Sequence, residues 1–581
     1  MSTPRFIALT GEAASLKAWL NCFVPQRHSA LRLNRVFDAS DLVVFASPET
    51  PFVPLAEERG VIVGRLFTGP SACKPIRVLD LSASRHAAWS RGRSLLEGKW
   101  GNFVAFTRDE KALATLRDPS GTVPAYLAAM GALEICFSDL DLALGAGYEP
   151  SGLDEEFLRQ WLTYPFLRTA RTGLSGCEEL PPGSVRISSG PARSVEALWS
   201  PWRAANAERE VRDFDTAARR LRDVALTTIP AQLAGIERPL LQLSGGLDSS
   251  IVATCLRRGG IDFTATTFAT RTPEGDERDY ARRLASDLEV ELIEQGEDEL
   301  PLDLSPPMRR TLRPPLNPVL QPLDRAFSRA ARQSRSRDLV TGAGGDNLFC
   351  YLTTAAPALD AFERLPLRDA LATLQDVAAL GECTLWKAGR YAVRKRFRRR
   401  SRPIWARDER FLAPCALAAA PDPHPWLLPP EPPCAGKLEH VEALVRIHFF
   451  LRPRHASGEA MHHPLINQPL MEACLAIPSW LWVRGGRNRA VARHAFSDLL
   501  PPTIVRRRTK GSLAAMCSQA FVQNSRALAD LLLGGELSRR CLIDERAVDA
   551  YLQSAGGPPN DNYFRIFDLA SLELWLRSWR V

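Results

Sequence analysis

The sequence predicts two units of different class. Residues 1–205 read as an antiparallel β sandwich, and residues 212–581 as an α/β unit with a parallel sheet and a helical C-terminal part. Three observations lead there. The first part consists of short β-rich runs, several closed by Gly, Pro or Ser. From Arg238 onward strands alternate with helices, the pattern of right-handed βαβ units. The length, 581 residues, exceeds what one core holds.

In chain order, LVVFA (Leu42 to Ala46), GVIVGRLF (Gly60 to Phe67), GNFVAFT (Gly101 to Thr107) and ALATLRD (Ala112 to Asp118) are strand-like. PPGSVRIS (Pro181 to Ser188) reads as the last hairpin of the sandwich. Residues from Trp199 to Asp215 form a linker into the amphipathic helix FDTAARRLRDVALTTI. RPLLQL (Arg238 to Leu243) has the apolar content of a buried strand, and SSIVATCLRRGG follows as a helix stopped by Gly259 and Gly260. FTATTFAT, ERDYARRLASDL, VELIEQ and DLVTGAG continue as strand, helix, strand, and strand with turn. After Tyr351 the pattern is helical. It is broken by eight prolines between Pro414 and Cys434, which predict a surface loop or lid.

Between the first of these strands and its helix lies Ser244-Gly245-Gly246-Leu247-Asp248-Ser249-Ser250. Two glycines let backbone N–H groups approach phosphate oxygens closely. The following helix N-terminus favours negative charge, and three serines add hydroxyl donors. Asp248 would repel bare phosphate, so its presence suits a Mg²⁺ ligand. The loop lacks the Lys of the GxxxxGK[ST] type, and its SGGxDS form resembles the loop of ATP pyrophosphatases. Thr341-Gly342-Ala343-Gly344-Gly345-Asp346-Asn347 also follows a buried strand, and a doubly wound sheet would set it beside the first loop with Asp346 as second metal ligand. Either turn can also be read as a helix cap.

Bulk features narrow the remaining classes. Hydrophobic content of 45% and charged content of 24% are ordinary for a globular chain. No apolar run of membrane-spanning length occurs, and MSTPRFIALTG lacks the layout of a signal peptide. The twelve Cys form no CxxC pair, which points to reduced thiols in the cytoplasm rather than zinc or disulfides. Net charge is +8, with a local excess in RYAVRKRFRRRSR (Arg390 to Arg402). That run is a solvated helix face or a landing site for an acidic peptide. With no nucleic-acid motif, no nucleic-acid or membrane partner is expected.

The two loops in this order resemble those of the asparagine synthetase family. WGNFVAFTRDE, LRDPSGTVPAYLA, CFSDL and PPGSVRIS resemble segments of its glutamine-hydrolysing domain. GDERDYARRLA and LPPTIVRRRTKG resemble its D-E-x-x-Y-A and L-P-x-x-I-x-x-R-x-K-x-G segments. Three departures stand out. Ser2 replaces the family's nucleophilic N-terminal Cys, and the glutamine-binding segments are missing. Ala343 occupies the place of the family's Glu, or of Tyr in β-lactam synthetases. HHPLINQPLMEACLAIPSWLWVRGGRNRAVARHAF (His462 to Phe496) is similar to the lasso-peptide macrolactam synthetases of this family.

The resemblance implies a degenerate Ntn glutaminase-like sandwich, inactive as a glutaminase, followed by an ATP-pyrophosphatase domain of the adenine nucleotide alpha hydrolase type. It implies ATP and Mg²⁺. ATP would be held by Leu243, Ser244, Gly245, Gly246, Leu247, Asp248, Ser249, Ser250, Phe268, Thr341 and Gly342, with the metal on Asp248 and Asp346. Lys510 falls on the family's catalytic Lys, and Arg489 and Arg493 take the places of a Lys and an Arg that bind phosphate. Glu472, His462 and His463 are further candidates for handling the amine. The implied reaction adenylates an Asp or Glu side chain of a leaderless precursor peptide and joins it to the N-terminal amine. A leader-removing protease and a leader-binding protein would be partners. Asparagine synthetase proper, a β-lactam synthetase-like amide ligase, and a non-catalytic ATP-binding scaffold remain as alternatives.

Overall fold

The computed structural model describes residues 4–26, 31–190, 192–271, 275–297, 300–307, 309–315, 317–398, 405–455, 457–508, 511–554, 560 and 562–580. The first half forms twelve strands: β1 (Phe6–Thr10), β2 (Asn34–Asp38), β3 (Leu42–Ala46), β4 (Phe52–Leu55), β5 (Gly60–Thr68), β6 (Lys99–Arg108), β7 (Leu113–Arg117), β8 (Tyr126–Met130), β9 (Leu133–Phe137), β10 (Cys177–Glu179), β11 (Ser184–Ser189) and β12 (Ala192–Ala197). They make two six-stranded antiparallel sheets, ordered β10-β8-β9-β1-β3-β2 and β12-β11-β7-β6-β5-β4.

The period-2 pattern explains the layers. Phe6 and Ala8 of β1 face the second sheet and pack with Val61, Val63, Val104 and Phe106. Ile7 and Leu9 point the other way, under Leu16 and Phe23 of the helix Ala13–Gln26. Both faces of β1 are therefore buried, so its apolar run lacks the alternation that marks a strand open to solvent. The outer face of the second sheet, with Ile62, Leu66, Phe103 and Leu116, meets the helices Leu81–Trp89 and Gln468–Leu475 and shares one core with the second half, the helix Phe214–Leu233 included. That helix continues through Pro230, beyond the predicted segment.

The second half holds β13 (Leu240–Gln242), β14 (Thr264–Ala269), β15 (Leu292–Gly296), β16 (Asp338–Val340) and β17 (Ala460–His462). All neighbours are parallel, in the order β15-β14-β13-β16-β17. The sequence order reverses between β13 and β16. This is the switch point where open α/β sheets bind ligands, beyond the carboxyl ends of the strands. The expected strands and helices are found here, with β17 added: three residues of Ala-Met-His are too short to show a period. No helix among the described residues is long and apolar enough to cross a membrane.

The proline-rich segment keeps to the surface along much of its length, as expected, but it is anchored by buried residues. Trp426 is fully buried, and Ala416 and His424 are buried with it. The Trp426 ring meets Trp199 at 5.1 Å and His448 at 4.9 Å, and its carbonyl accepts from the Trp202 indole at 2.8 Å. The prolines exclude a helix as expected, but the chain crosses the seam between the halves as a packed strap.

A second tie across the seam is charged. Glu179 accepts from Arg117 at 2.8 Å, Arg168 at 2.7 Å and Arg313 at 3.0 Å. Arg168 also donates to the carbonyl of His448 at 2.8 Å. Glu179 is buried, and the three guanidinium groups outweigh the burial that opposes its charge, holding its carboxyl far below the usual range. Glu179→Gln would leave this buried positive charge uncompensated. It is expected to lower unfolding free energy by about 3–5 kcal/mol, read by denaturant titration. A loss under about 1 kcal/mol would show the cluster to be solvated like a surface pair.

Candidate active site

Leu243 extends β13 by donating to Thr266 at 2.8 Å, and the chain then turns sharply at Gly245 (φ 67°). A Cβ on Gly245 would lie 2.5 Å from Cβ of Tyr280, so only glycine fits. Gly246 caps the helix Leu247–Arg258. Ser249 links the loop internally, its hydroxyl 3.1 Å from that of Ser244 and accepting from the Ser244 N–H at 3.2 Å. Ser250 donates to the Gly246 carbonyl at 2.7 Å.

The turn after β16 lies directly against this loop. A Cβ on Gly342 would sit 2.7 Å from the Ser249 nitrogen, and one on Gly345 would sit 2.4 Å from Cβ of Asp248. The glycines of the second loop therefore serve contact between the loops as well as any phosphate. The two carboxylates expected to pair do so through Arg489. Its Nη1 donates to both Asp248 oxygens at 2.9 and 3.1 Å and to Asp346 at 2.6 Å. Arg489 sits in the left-handed region (φ 52°) at the start of the helix Ala490–Ala495, with Tyr351 5.3 Å from its guanidinium carbon. The assignment of Arg489 to phosphate thus meets a different partner in this structure, two carboxylates.

A cavity of about 410 Å³ opens at this junction. Ser244, Gly246, Leu247, Asp248 and Ser249 line it on one side, and Thr341, Gly342, Ala343 and Asp346 on the other. Arg489 and Arg493 line it too. Burial pushes Arg493 down to about 10, and its donors go to the carbonyls of Asn488 at 3.0 Å and Val505 at 2.8 Å. Leu243, Gly245 and Ser250 support the loop from behind. Phe268 is half-buried against the cluster that contains Met516 and Phe521. Lys510 and Ser2 lie outside the described residues.

Glu472 accepts from the Trp199 indole at 2.7 Å, which places it on the seam with the sandwich. His462 and His463 lie on and just after β17, not at a helix end. His462 bonds Asp338 at 2.8 Å. His463 lines the cavity, with Nδ1 3.1 Å from the Thr341 hydroxyl and Nε2 3.0 Å from the Arg452 carbonyl, and burial pushes it down to about 4. The described part of the basic run, residues 390–398, lies in the helix Leu385–Arg398, which exposes Trp386 at its start, and residues 399–402 lie outside the described residues.

Two residues had been quoted only as part of motifs. Glu277 pairs with Arg507 at 2.7 Å and accepts from the Gly511 N–H at 3.0 Å. Arg507 stacks 4.1 Å from the Tyr280 ring centre and reaches the Gly245 carbonyl at 3.3 Å. Glu277 thereby grips the chain on both sides of Lys510. Its Asp-Glu motif was the available signal, but 230 residues of separation hid its partner.

Residues 231–577 match the family model of asparagine synthase. No curated protein matches the chain. Among solved structures, it is similar to the allosteric regulatory enzyme of purine biosynthesis at 9% identity, over 53% of this chain and 82% of that one, with a TM-score of 0.21. It is similar to glutamine phosphoribosylpyrophosphate amidotransferase from B. subtilis at 10% identity, over 53% and 77%, with a TM-score of 0.20. For NMN synthetase from Francisella tularensis the values are 16%, 21% and 41%, with a TM-score of 0.13. With most of its second half matched, loops included, the chain belongs to the asparagine synthase family and is an ATP-dependent, AMP-forming ligase of C–N bonds.

Proposed function

We propose that this ligase closes a macrolactam ring in a leaderless precursor peptide, joining an internal Asp or Glu side chain to the N-terminal amine. The observation that carries the reading is Ala343 in the wall of the cavity at the switch point, beside Arg489 of the segment similar to macrolactam synthetases. A methyl group where relatives carry Glu or Tyr leaves room for a bulky acyl donor and supplies no acid or base.

Mg²⁺ fits the residues present. Asp248 and Asp346 offer hard oxygen donors, and a cationic guanidinium already lies between them. These two carboxylates would hold the ion, which when bound neutralises polyphosphate charge. The residues of the chain do the rest. Backbone N–H groups of the first loop and the hydroxyls of Ser244 and Ser249 bind the departing pyrophosphate. The substrate carboxylate attacks the α-phosphorus, giving an acyl-adenylate. The amine then attacks the acyl carbon and AMP leaves. Lys510 stabilises negative charge in both steps, with Arg493 as a second cation. His463 has both ring nitrogens engaged, so it acts by orienting Thr341.

Glu277 is a positioning residue in this scheme. Glu277→Gln is expected to cut kcat about 100-fold while the KM for ATP stays within about threefold. A matched loss in both constants would place Glu277 on the nucleotide instead. A precursor-processing protease and a leader-binding protein are the proposed partners. Candidate peptides are to be sought in any short open reading frames beside the gene. Mass spectrometry should show loss of one water from the right peptide, dependent on ATP and Mg²⁺. Conversion of free aspartate with ammonia, and of no peptide, would establish an asparagine synthetase instead.

A further inference from the structure

A second chamber of about 220 Å³ adjoins the reaction cavity, and Leu320 and Phe450 line both. Its walls come from four distant stretches of chain. Trp161 and Phe166 belong to the end of the sandwich half, Val319 follows β15, Phe449 ends the helix Ala435–Phe450, and Phe564 begins the C-terminal helix. The lining is mostly aromatic and apolar; its polar members are Asn317, Asp568, Arg565 and Ser571, and the Asn317 amide donates to Asp568 at 3.1 Å. Phe450 and Phe564 each keep 37% of their surface exposed.

The aromatic wall is held in a conformation that local preference opposes. Phe166 has φ 64°, a rare state for a bulky residue. Its ring is fixed edge-on to Phe449 at 5.2 Å and stacked on Phe450 at 5.5 Å, with the Arg446 guanidinium carbon 5.5 Å from the ring centre. Trp161 closes on Phe449 at 4.8 Å. Backbone strain of this kind persists where the surroundings over-determine it, and it clusters at ligand clamps. A pocket of apolar walls, a few polar groups and continuity with a reaction site has the form of a small-group binding site.

We infer that this chamber is a subsite for an aromatic side chain of the acyl substrate, seated while the reactive carboxylate lies in the neighbouring cavity. The inference rests on the peptide reading above, because free aspartate carries nothing to fill the chamber. Aromatic rings suit it: they bury a large apolar area, they stack on ring walls, and an indole N–H can use the Asn317–Asp568 edge. Selection then arises from side-chain burial remote from the bond being made, which improves positioning at the reacting carbon.

The test uses the full-length protein and ATP–pyrophosphate exchange. The probes are synthetic hexapeptides with one Asp and, at offsets of one to four residues, either Trp or Ala. At one offset the Trp peptide is expected to show a KM about tenfold below its Ala counterpart. Phe564→Ala, which removes a wall, and Ser571→Trp, which fills the chamber, should both bring that ratio to near one. The two act in opposite senses, so a folding defect in one leaves the other to decide. Exchange with peptides at equal KM for Trp and Ala would overturn the subsite and leave the peptide reading standing. A rise in the KM for ATP alone in Phe564→Ala would assign the chamber to the nucleotide base and overturn it as well. Exchange with free aspartate and with no peptide would overturn the peptide reading, and the subsite with it.

Discussion

Asp248→Ala is expected to lower ATP–pyrophosphate exchange by about 1000-fold or more while the protein stays folded. Asp248 is the point where the two loops and Arg489 converge, 2.9 Å from the guanidinium and packed against Gly345. Removing one preorganised electrostatic contact in an enclosed site costs about 100- to 1000-fold. Asp248 is expected to act twice, as metal ligand and as the partner that sets Arg489. Folding should survive, because Arg489 retains Asp346 at 2.6 Å and no buried cation is stranded. Exchange within tenfold of the parent would sink the adenylation assignment for this loop, and a loss of thermal stability would redirect it to a structural role.

Acid lability should be the second large effect. His424, His440, His448 and His463 are buried without an ionic partner, and burial pushes them down to about 4, 3, 3 and 4. In the unfolded chain each titrates near 6.5. Between about pH 6.5 and 4 the unfolded state binds protons that the folded state refuses. Stability is therefore complete above pH 6.5 and falls as pH drops through that window, by about 1.4 kcal/mol per unit for each group. Four groups together give about 5.6 kcal/mol per unit, but below about pH 6 the carboxyls of Asp118, Asp360 and Asp568, which burial pushes up to about 6, take up protons first in the folded state and oppose this by up to about 4 kcal/mol per unit. The depressed Glu179 contributes in the same direction only at lower pH, below the unfolded carboxylate range. Unfolding free energies measured at pH 7, 6 and 5 should fall by the difference of the two effects, about 2 kcal/mol per unit. A rise in stability toward pH 5 would show that these imidazoles accept protons in the folded state.

The strand–turn–helix around Ser244 to Ser250 was legible because its pattern is local. Strand, glycines, Asp248 and helix all lie within one short stretch, and a second copy of that logic follows β16. The sandwich was legible as a class from β3, β5, β6, β7 and β11, while β1, β2, β4, β8, β9, β10 and β12 were not singled out. Trp426 shows the converse failure. Eight prolines do forbid a helix, but composition says nothing about whether the resulting loop finds partners, and here Trp199 and His448 supply them. The role of Arg489 was half legible. A cation near phosphates is a sound expectation from sequence, yet its grip on Asp248 and Asp346 depends on contacts more than 140 residues away. Glu277 was hidden for the same reason.

That grip has a consequence for how the protein reaches its working state. Two facing acids at the base of a cleft ordinarily make a nascent enzyme dependent on metal supply, since repulsion between them must be quenched before the loops can close. Here the chain carries its own counter-charge, Arg489, a residue distant in sequence that lines the cavity. Assembly of the fold is uncoupled from loading of the site. Under the Mg²⁺ loading proposed above, depletion of the ion would leave intact, idle enzyme rather than misfolded chains.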